Sequence, residues 1–274
     1  MQKIDRLGWA AGISIVSYGV RVGVRTNRPE VLDDVVERLP PGWKQAESPI
    51  VDRLYSFLVG GRGARPGIKR YNLLYADASK VARTMNVAEV FDTLESEIQI
   101  YVAEFAKRRV FVHAGVVGWK GRAILMPGRS FTGKSTLVKE LVSAGAQYYS
   151  DEYAVLDSLG RVHPFPRPLG LRNEPVTMPK KVPVEALGGS VGVKPLLPAL
   201  VIVSKYKPEA RWRPRMLSPG KGLLKLLSNT VPARTRPEAS LTALRQVVSQ
   251  APVLQGVRGE VTLTVDSILK FLDG

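Results

Sequence analysis

Alternating apolar and polar residues predict a small mixed region at the start of the chain. Residues 20–25 alternate valine with arginine or glycine, a pattern typical of a strand with one buried face. A short helix is predicted over residues 29–39, because a proline stands near its start and Pro40-Pro41-Gly42 follows it. The glycine-rich residues 60–67 predict an exposed loop. We therefore expect a small mixed α+β N-terminal domain over residues 1–86.

The strongest helix signal lies in residues 87–108, where apolar side chains recur every three or four positions. Acidic residues stand early in this segment and basic residues late, an arrangement that the helix dipole favours. We expect residues 87–109 to form a structural helix that connects two domains. The apolar face consists of Val87, Val90, Phe91, Leu94, Ile98, Tyr101, Val102 and Phe105.

Strands and helices alternate in the rest of the chain. Two apolar runs, residues 110–117 and 123–126, predict a β-hairpin because Gly118-Trp119-Lys120-Gly121 separates them. This alternation predicts an α/β domain over residues 110–274. The later predicted elements are a helix over residues 134–143, a strand from about residue 147, a buried strand over 196–204, and helices over 240–250 and 266–272.

Length and composition narrow the class of protein. A chain of 274 residues with 45% hydrophobic content can form one or two folded domains. Glycine and serine interrupt the most apolar run, residues 9–20, so no segment has the roughly eighteen apolar residues of a membrane helix. We expect a cytoplasmic protein with no membrane partner. The absence of cysteine excludes disulfides, thiolate metal sites and cysteine nucleophiles.

The formal net charge of +16 indicates a surface that attracts phosphates, nucleic acid or an acidic partner. No zinc-ligand spacing or recognition-helix pattern accompanies the charge, and the basic residues are spread along the chain. We interpret the charge as serving solubility and a phosphate-rich substrate, and nucleic acid is not the expected partner. A homo-oligomer is left open.

Residues 128–135 match the phosphate-binding P-loop pattern G-x-x-x-x-G-K-[ST] at every defined position. An apolar strand precedes the pattern and a predicted helix follows it. The glycines allow main-chain N–H groups to wrap around phosphate oxygens, and the helix N-terminus adds partial positive charge. The alternative is a glycine-rich turn with an exposed lysine. The candidate nucleotide-binding residues are Gly128, Arg129, Ser130, Phe131, Thr132, Gly133, Lys134, Ser135 and Thr136.

Two residues of this pattern have specific expected roles. Lys134 is expected to reach the β- and γ-phosphates, and the Ser135 hydroxyl is expected to bind magnesium. ATP and Mg²⁺ are therefore the predicted cofactors.

Acidic residues follow the predicted helix in Ser150-Asp151-Glu152. We predict that they lie at the C-terminal end of the strand next to the P-loop strand, where open α/β sheets bind ligands. Asp151 is expected to face the γ-phosphate, either accepting a proton from the attacking hydroxyl or holding magnesium, and Glu152 is a second magnesium candidate. Two solvated acids in a turn are the alternative.

Other residues are candidates for contact with the phosphates. His113 precedes the P-loop strand, and a γ-phosphate contact competes there with a buried, hydrogen-bonded core histidine. Arg167 and Arg172 could reach the phosphates if the chain turns back towards the loop.

The order of these motifs resembles the nucleotide-binding core of the HPr serine kinase/phosphorylase family and its HPr-kinase-like relatives. The likeness extends over roughly 60–70 residues, and the motifs that carry it run from Val112-His113-Ala114-Gly115 through the P-loop to Ser150-Asp151-Glu152. It implies a P-loop fold related to phosphoenolpyruvate carboxykinases, with ATP and magnesium as cofactors and a serine of a peptide or protein as acceptor. His113 matches a family histidine, Asp151 matches the family's general base, and Glu152 stands where a second aspartate is usual.

Departures from that family change the expected substrate. Thr136 stands where an acidic residue usually follows the P-loop, and a Leu-Glu-Val-Arg-Gly signature is not recognisable. These differences argue against HPr itself as substrate and against phosphorolysis. The leading hypothesis is a kinase acting on a hydroxyl group. A small-metabolite kinase with Arg211, Arg213 and Arg215 in a lid, or a nucleotide-binding regulatory module with a basic surface, are the alternatives.

Overall fold

The computed structural model describes residues 3–61, 70–129, 132–171 and 180–273. The chain has a mixed α/β fold and divides into two compact units, residues 1–107 and 108–274. No helix in the described ranges is both long enough and apolar enough to cross a lipid bilayer. The predicted loop over residues 60–67 lies mostly outside the described residues.

The first unit is built on a mixed sheet with the strand order β3-β1-β2-β4-β5-β6. Strands β2 and β4 pair in parallel, and the other neighbouring strands are antiparallel. The strands are β1 (Ala11–Ser17), β2 (Val20–Thr26), β3 (Lys44–Gln45), β4 (Arg53–Leu58), β5 (Asn72–Ala76) and β6 (Ser79–Thr84). The helices are α1 (Leu32–Val36), α2 (Val87–Phe105) and 3-10 turns at Lys3–Arg6 and Pro29–Val31.

Helix α2 packs its apolar face into the core of the first unit, where Leu94 and Ile98 join Ile15 and Phe57. The segment predicted to connect two domains therefore contributes to the first unit's own core. The Asn86 side chain caps the helix by accepting a hydrogen bond from the main-chain N–H of Ala88 at 3.0 Å.

Two predicted helix boundaries in this unit are wrong. Helix α2 ends at Phe105 because the Lys107 N–H donates to the carbonyl of Tyr18, 3.0 Å away, and draws the chain out of the helix. The helix predicted over residues 29–39 is shorter, since α1 ends at Val36.

The second unit has a larger mixed sheet with the strand order β11-β10-β7-β8-β14-β16-β15, and β9 also pairs with β7. The strands of this sheet are β7 (Val110–Trp119), β8 (Arg122–Pro127), β9 (Gln147–Ser150), β10 (Tyr153–Leu156), β11 (Val162–His163), β14 (Leu197–Tyr206), β15 (Arg215–Leu217) and β16 (Val253–Arg258). Strands β12 (Leu169–Leu171) and β13 (Lys180–Val182) form a separate antiparallel pair. The helices of this unit are α3 (Lys134–Ser143), α4 (Pro219–Leu227), α5 (Pro237–Gln250) and α6 (Val261–Asp273), with 3-10 turns at Val184–Leu187 and Val231–Ala233.

Helices cover both faces of this sheet. Along β8, Leu125 packs on the side of Leu244 in α5, whereas Ile124 packs on the side of Leu137 in α3 and Ile268 in α6. A strand buried on both faces has no polar face, which explains why residues 123–127 of β8 are continuously apolar.

The direction of the strands determines which loops meet. Strands β8, β14 and β16 are mutually parallel, so their carboxyl ends lie along one edge of the sheet. Strand β9 is antiparallel to β7, which is itself antiparallel to β8. The end of β9 therefore points to the same edge as the end of β8, and the loop over residues 128–133 begins there.

Candidate active site

The glycines of the predicted P-loop meet tight constraints between β8 and α3. A Cβ on Gly128 would lie 2.8 Å from the Thr132 hydroxyl oxygen, and Gly133 precedes α3 with a φ of +81°. The Gly128 N–H donates to the carbonyl of His113 at 3.1 Å, which anchors the loop to β7. Ser130 and Phe131 lie outside the described residues.

Lys134 is folded over the loop. Its Nζ donates to the main-chain carbonyl of Arg129 at 2.9 Å, and the Thr132 hydroxyl donates to the same carbonyl at 2.8 Å. Burial lowers the pKa of Lys134, while the charges of Glu152 and Asp151 act in the opposite direction. The ammonium thus contacts the loop and lies within electrostatic range of two acids.

The Asp151 carboxylate accepts three hydrogen bonds that set its orientation. Ser135 Oγ donates to Oδ2 at 2.9 Å, the Tyr148 hydroxyl donates to Oδ1 at 2.9 Å, and the Gly170 N–H donates to Oδ2 at 3.3 Å. Burial, followed by the charge of Asp151, raises the pKa of Tyr148, so this phenol remains a hydrogen-bond donor. Asp151 is therefore directed at the first turn of α3.

The contact between Ser135 and Asp151 is compatible with magnesium. The Ser135 hydroxyl and the Asp151 carboxylate are oxygen donors of the kind that Mg²⁺ prefers, and their oxygens lie 2.9 Å apart. The described residues contain no group of three or more His, Cys, Asp or Glu side chains that could hold a metal by themselves. A magnesium ion here would need phosphate or water oxygens as well, which is its usual mode of binding.

The two acids occupy a break between strands. Strand β9 ends at Ser150 and β10 begins at Tyr153, and both strands pair with β7. Ser150 Oγ stabilises the break by accepting hydrogen bonds from the N–H groups of Glu152 and Tyr153, at 3.1 and 2.9 Å.

The pairing of these strands corrects one prediction. The strand before the acids is not adjacent to the P-loop strand in the described sheet, because β7 pairs with both β8 and β9 and lies between them. The acids still reach the loop, since β9 runs parallel to β8.

Glu152 differs from Asp151 in its environment. It retains solvent access. Desolvation by the surrounding protein, followed by the charge of Asp151, nevertheless raises its pKa, while Lys134 and Lys181 act in the opposite direction. A carboxyl group with a raised pKa and access to solvent is suited to proton transfer.

His113 lies on β7 opposite Tyr153, and the two rings are in contact with centroids 4.8 Å apart. Its Nδ1 is buried and has no hydrogen-bond partner among the described residues. Burial and then the charge of Lys134 lower the pKa of His113, although the main-chain carbonyl of Glu152 opposes this shift. The imidazole is therefore neutral at physiological pH and lies within electrostatic range of Lys134.

Of the two candidate arginines, Arg172 lies outside the described residues. Burial lowers the pKa of Arg167 to about 10, and its main chain lies beside the hydroxyl of Tyr148. Arg167 therefore belongs to the surroundings of Asp151, through the tyrosine that both residues contact.

Sequence reasoning missed Arg258. This residue ends β16 and is only 2% exposed. Its Nη2 donates to the carbonyl of Gly133 at 2.9 Å and lies 3.5 Å from the carbonyl of Thr132. The only sequence signal was an arginine directly after a short apolar segment, which does not distinguish a buried arginine from an exposed one.

Comparison with known proteins gives a distant structural likeness and no match to a family or a curated protein. No family model matches the chain, and no curated protein matches it. The solved structure of the HPr(Ser) kinase/phosphatase from Coxiella burnetii matches with a TM-score of 0.30 and 15% sequence identity, over 60% of this chain and 99% of that chain. A TM-score of this size does not establish a shared fold, so function has to be inferred from this chain's own residues.

Proposed function

We propose that this protein is a magnesium- and ATP-dependent kinase that transfers the γ-phosphoryl group to a hydroxyl group, with a serine of a peptide or protein as the acceptor. One observation carries the proposal: the serine that completes the P-loop motif donates a hydrogen bond to Asp151 at 2.9 Å, beside the lysine of the same motif. A glycine-rich turn with an exposed lysine would not need this acid.

Nucleotide binding would depend on three groups of this chain. Main-chain N–H groups at the start of α3 would face the phosphates, and Lys134 would exchange the Arg129 carbonyl for phosphate oxygens. Ser135 and Asp151 would hold the metal, with Glu152 as a further candidate ligand. Magnesium, when bound, neutralises charge on the phosphate oxygens.

The hydrogen bonds suggest separate roles for the two acids. Both carboxylate oxygens of Asp151 already accept hydrogen bonds from protein groups, which fix the orientation of the carboxylate. One of these donors is Ser135, the other candidate metal ligand, and this favours the metal-binding role for Asp151. Glu152 has solvent access and a raised pKa, which favours it as the group that accepts the proton of the attacking hydroxyl. His113, neutral and within electrostatic range of Lys134, is left as a candidate contact of the γ-phosphate.

The proposal can be tested by incubating the protein with γ-labelled ATP, magnesium and a dephosphorylated cell extract. We expect label on serine residues of acid-precipitable protein or peptide, and none when Lys134→Ala replaces the wild type. Lys139→Ala, on the same helix, is the matched control and should transfer label normally. Release of free phosphate alone would contradict the kinase proposal.

A second candidate, a small-metabolite kinase, is favoured by one observation. Arg211, Arg213 and Arg215 are exposed and follow β14, whose carboxyl end lies on the same sheet edge as the loop. Clustered arginines at that edge could bind an anionic small substrate. Label in the acid-soluble fraction, in a compound other than phosphate or ATP, would support this candidate in the same assay.

A further inference from the structure

Arg258 is a buried cation, and it has no carboxylate partner in the part of the chain that the structure describes. The side chain lies at the end of β16, and no described Asp or Glu approaches its guanidinium closely enough to form an ion pair. Its Nε is buried and has no hydrogen-bond partner among the described residues. The ring of Tyr206 lies 5.6 Å from the guanidinium carbon and offers a weak cation–π contact. A buried charge in such surroundings is costly unless another group compensates it.

The guanidinium contacts main-chain carbonyls at the end of the loop that precedes α3. Its Nη2 donates to the Gly133 carbonyl at 2.9 Å and lies 3.5 Å from that of Thr132. A Cβ at position 133 would clash with this guanidinium, so the glycine is required for close approach as well as for its φ of +81°. Arg258 thus occupies the space that a side chain at position 133 would fill.

These contacts determine the direction of two main-chain N–H groups. The described peptide bonds are trans, and a trans peptide directs its C=O and its N–H to opposite sides. With the carbonyls of Thr132 and Gly133 turned towards Arg258, the N–H groups of Gly133 and Lys134 point away from it. The Gly133 carbonyl also accepts from the Leu137 N–H at 3.1 Å, the first hydrogen bond of α3. Both N–H groups therefore face the N-terminal end of the helix.

Charge adds to this geometry. Burial lowers the pKa of Arg258, and only Tyr206 acts in the opposite direction. An anion bound at the N-terminal end of α3 would offset the cost of the buried cation, because Coulomb attraction is stronger where water is excluded.

We propose that Arg258 is a positioning residue for the diphosphate group of the nucleotide: it holds the loop carbonyls on one side, directs the Gly133 and Lys134 N–H groups to the phosphates, and adds a buried positive charge behind them. This inference rests on nucleotide binding in the proposed function and does not depend on phosphoryl transfer. The ligand class is a diphosphate or triphosphate, with or without its nucleoside.

The test is equilibrium binding of magnesium pyrophosphate and of magnesium ATP to the full-length protein and its variants. Arg258→Met removes the charge and keeps an apolar side chain of similar length. Arg122→Met is the matched control, because Arg122 Nη2 also donates to two main-chain carbonyls, Pro198 at 2.7 Å and Gln250 at 3.4 Å. Arg122 begins β8, at the end opposite the loop.

We expect Arg258→Met to weaken the binding of both ligands about tenfold or more, and Arg122→Met to change it less than about twofold. Arg258→Lys keeps the charge but not the planar guanidinium that reaches both carbonyls, and intermediate affinity is expected. If Arg258→Met does not fold, Arg258→Lys alone decides the question. Wild-type affinity in the folded Arg258 variant, or an equal loss in Arg122→Met, would overturn the inference.

Kinetics distinguish this role from general support of the fold. A residue that only preorganises phosphate contacts should raise KM for ATP and leave kcat little changed, whereas partial unfolding would lower the active fraction and hence kcat. Pyrophosphate binding that depends on Arg258, in a protein that transfers no phosphoryl group, would refute the kinase proposal and support this inference. Phosphoryl transfer that Arg258→Met leaves unchanged would support the kinase proposal and refute this inference.

Discussion

Ser135 and Asp151 are joined by a hydrogen bond of 2.9 Å between Oγ and Oδ2, although 16 positions separate them in the chain. Helix α3 and strand β9 bring them together, because the helix leaves the edge of the sheet and β9 returns to it. The hydroxyl is the last defined position of a phosphate-binding motif, and the carboxylate is held by two further donors. This pair is the part of the candidate site that the described contacts define best.

Removing either member of this pair should weaken the binding of magnesium more than the binding of the nucleotide. We expect Ser135→Ala to raise the Mg²⁺ concentration needed for half-maximal transfer. Asp151→Asn should bind ATP but lower kcat by about a hundredfold or more, since it loses a charged metal ligand. Transfer measured at increasing magnesium concentrations checks both expectations. The control is Glu238→Gln on α5, which should behave as wild type. Full transfer by Asp151→Asn would contradict the role given to Asp151.

Lys134 should be essential for turnover of ATP and dispensable for folding. Its ammonium donates only to a loop carbonyl, so Lys134→Ala removes no ion pair from the described residues. We expect kcat/KM for ATP to fall by about a thousandfold, because a lysine that contacts the transferring group stabilises charge that develops there. Thermal unfolding should change little. ATP turnover at the wild-type rate in this variant would show that the phosphates do not bind at Lys134.

Local patterns predicted the elements around the loop well. Helix α3 has the predicted bounds, residues 134–143, because Leu137, Val138, Leu141 and Val142 form one buried face. The predicted hairpin is confirmed, with a tighter turn than expected. Lys120 and Gly121 have φ values of +47° and +77°, as a two-residue hairpin turn requires, and Trp119 extends the first strand.

Long-range pairing could not be predicted from such patterns. Strand β16 was not predicted, since Val253 and Leu254 form only a short apolar run before Gly256. Arg258 was therefore missed, because its contact with Gly133 spans 125 positions. The wrong neighbour predicted for β9 has the same cause. Periodicity indicates that a strand exists, but hydrogen-bond partners decide where it lies in the sheet.

The pH dependence of transfer should identify the proton acceptor. The pKa of Glu152 is raised, so this group loses its proton at a higher pH than an ordinary glutamate. If Glu152 is the base, kcat/KM should fall as the pH decreases through this raised pKa. This acidic limb of the pH–rate profile should lie above the usual glutamate range. In Glu152→Gln we expect the limb to disappear and the plateau to drop by about a hundredfold or more. A limb at the same pH in this variant would assign proton transfer to another group.

Asp157 should be important for stability and irrelevant to binding. Its buried carboxylate accepts hydrogen bonds from the Leu159 N–H, the Arg161 N–H and Arg161 Nε, at 3.0, 3.0 and 2.8 Å, and His163 Nε2 lies 3.0 Å away. Burial alone would raise its pKa, but hydrogen bonds from His163 and Arg161 hold it below the ordinary value. We expect Asp157→Asn to reduce the free energy of unfolding by about 2 kcal/mol at pH 7.

The sign of the pH effect follows from this lowered pKa. The stabilisation by Asp157 is fully present above the pKa of the unfolded chain, and it is lost as the pH falls through the lower pKa of the folded protein. The difference in unfolding free energy between wild type and Asp157→Asn should therefore shrink at acid pH. Denaturant unfolding at pH 7 and at about pH 3, below the ordinary aspartate pKa, checks this, with the exposed Asp266→Asn as control. A difference that stays constant between these pH values would mean that the carboxylate charge contributes nothing to this turn.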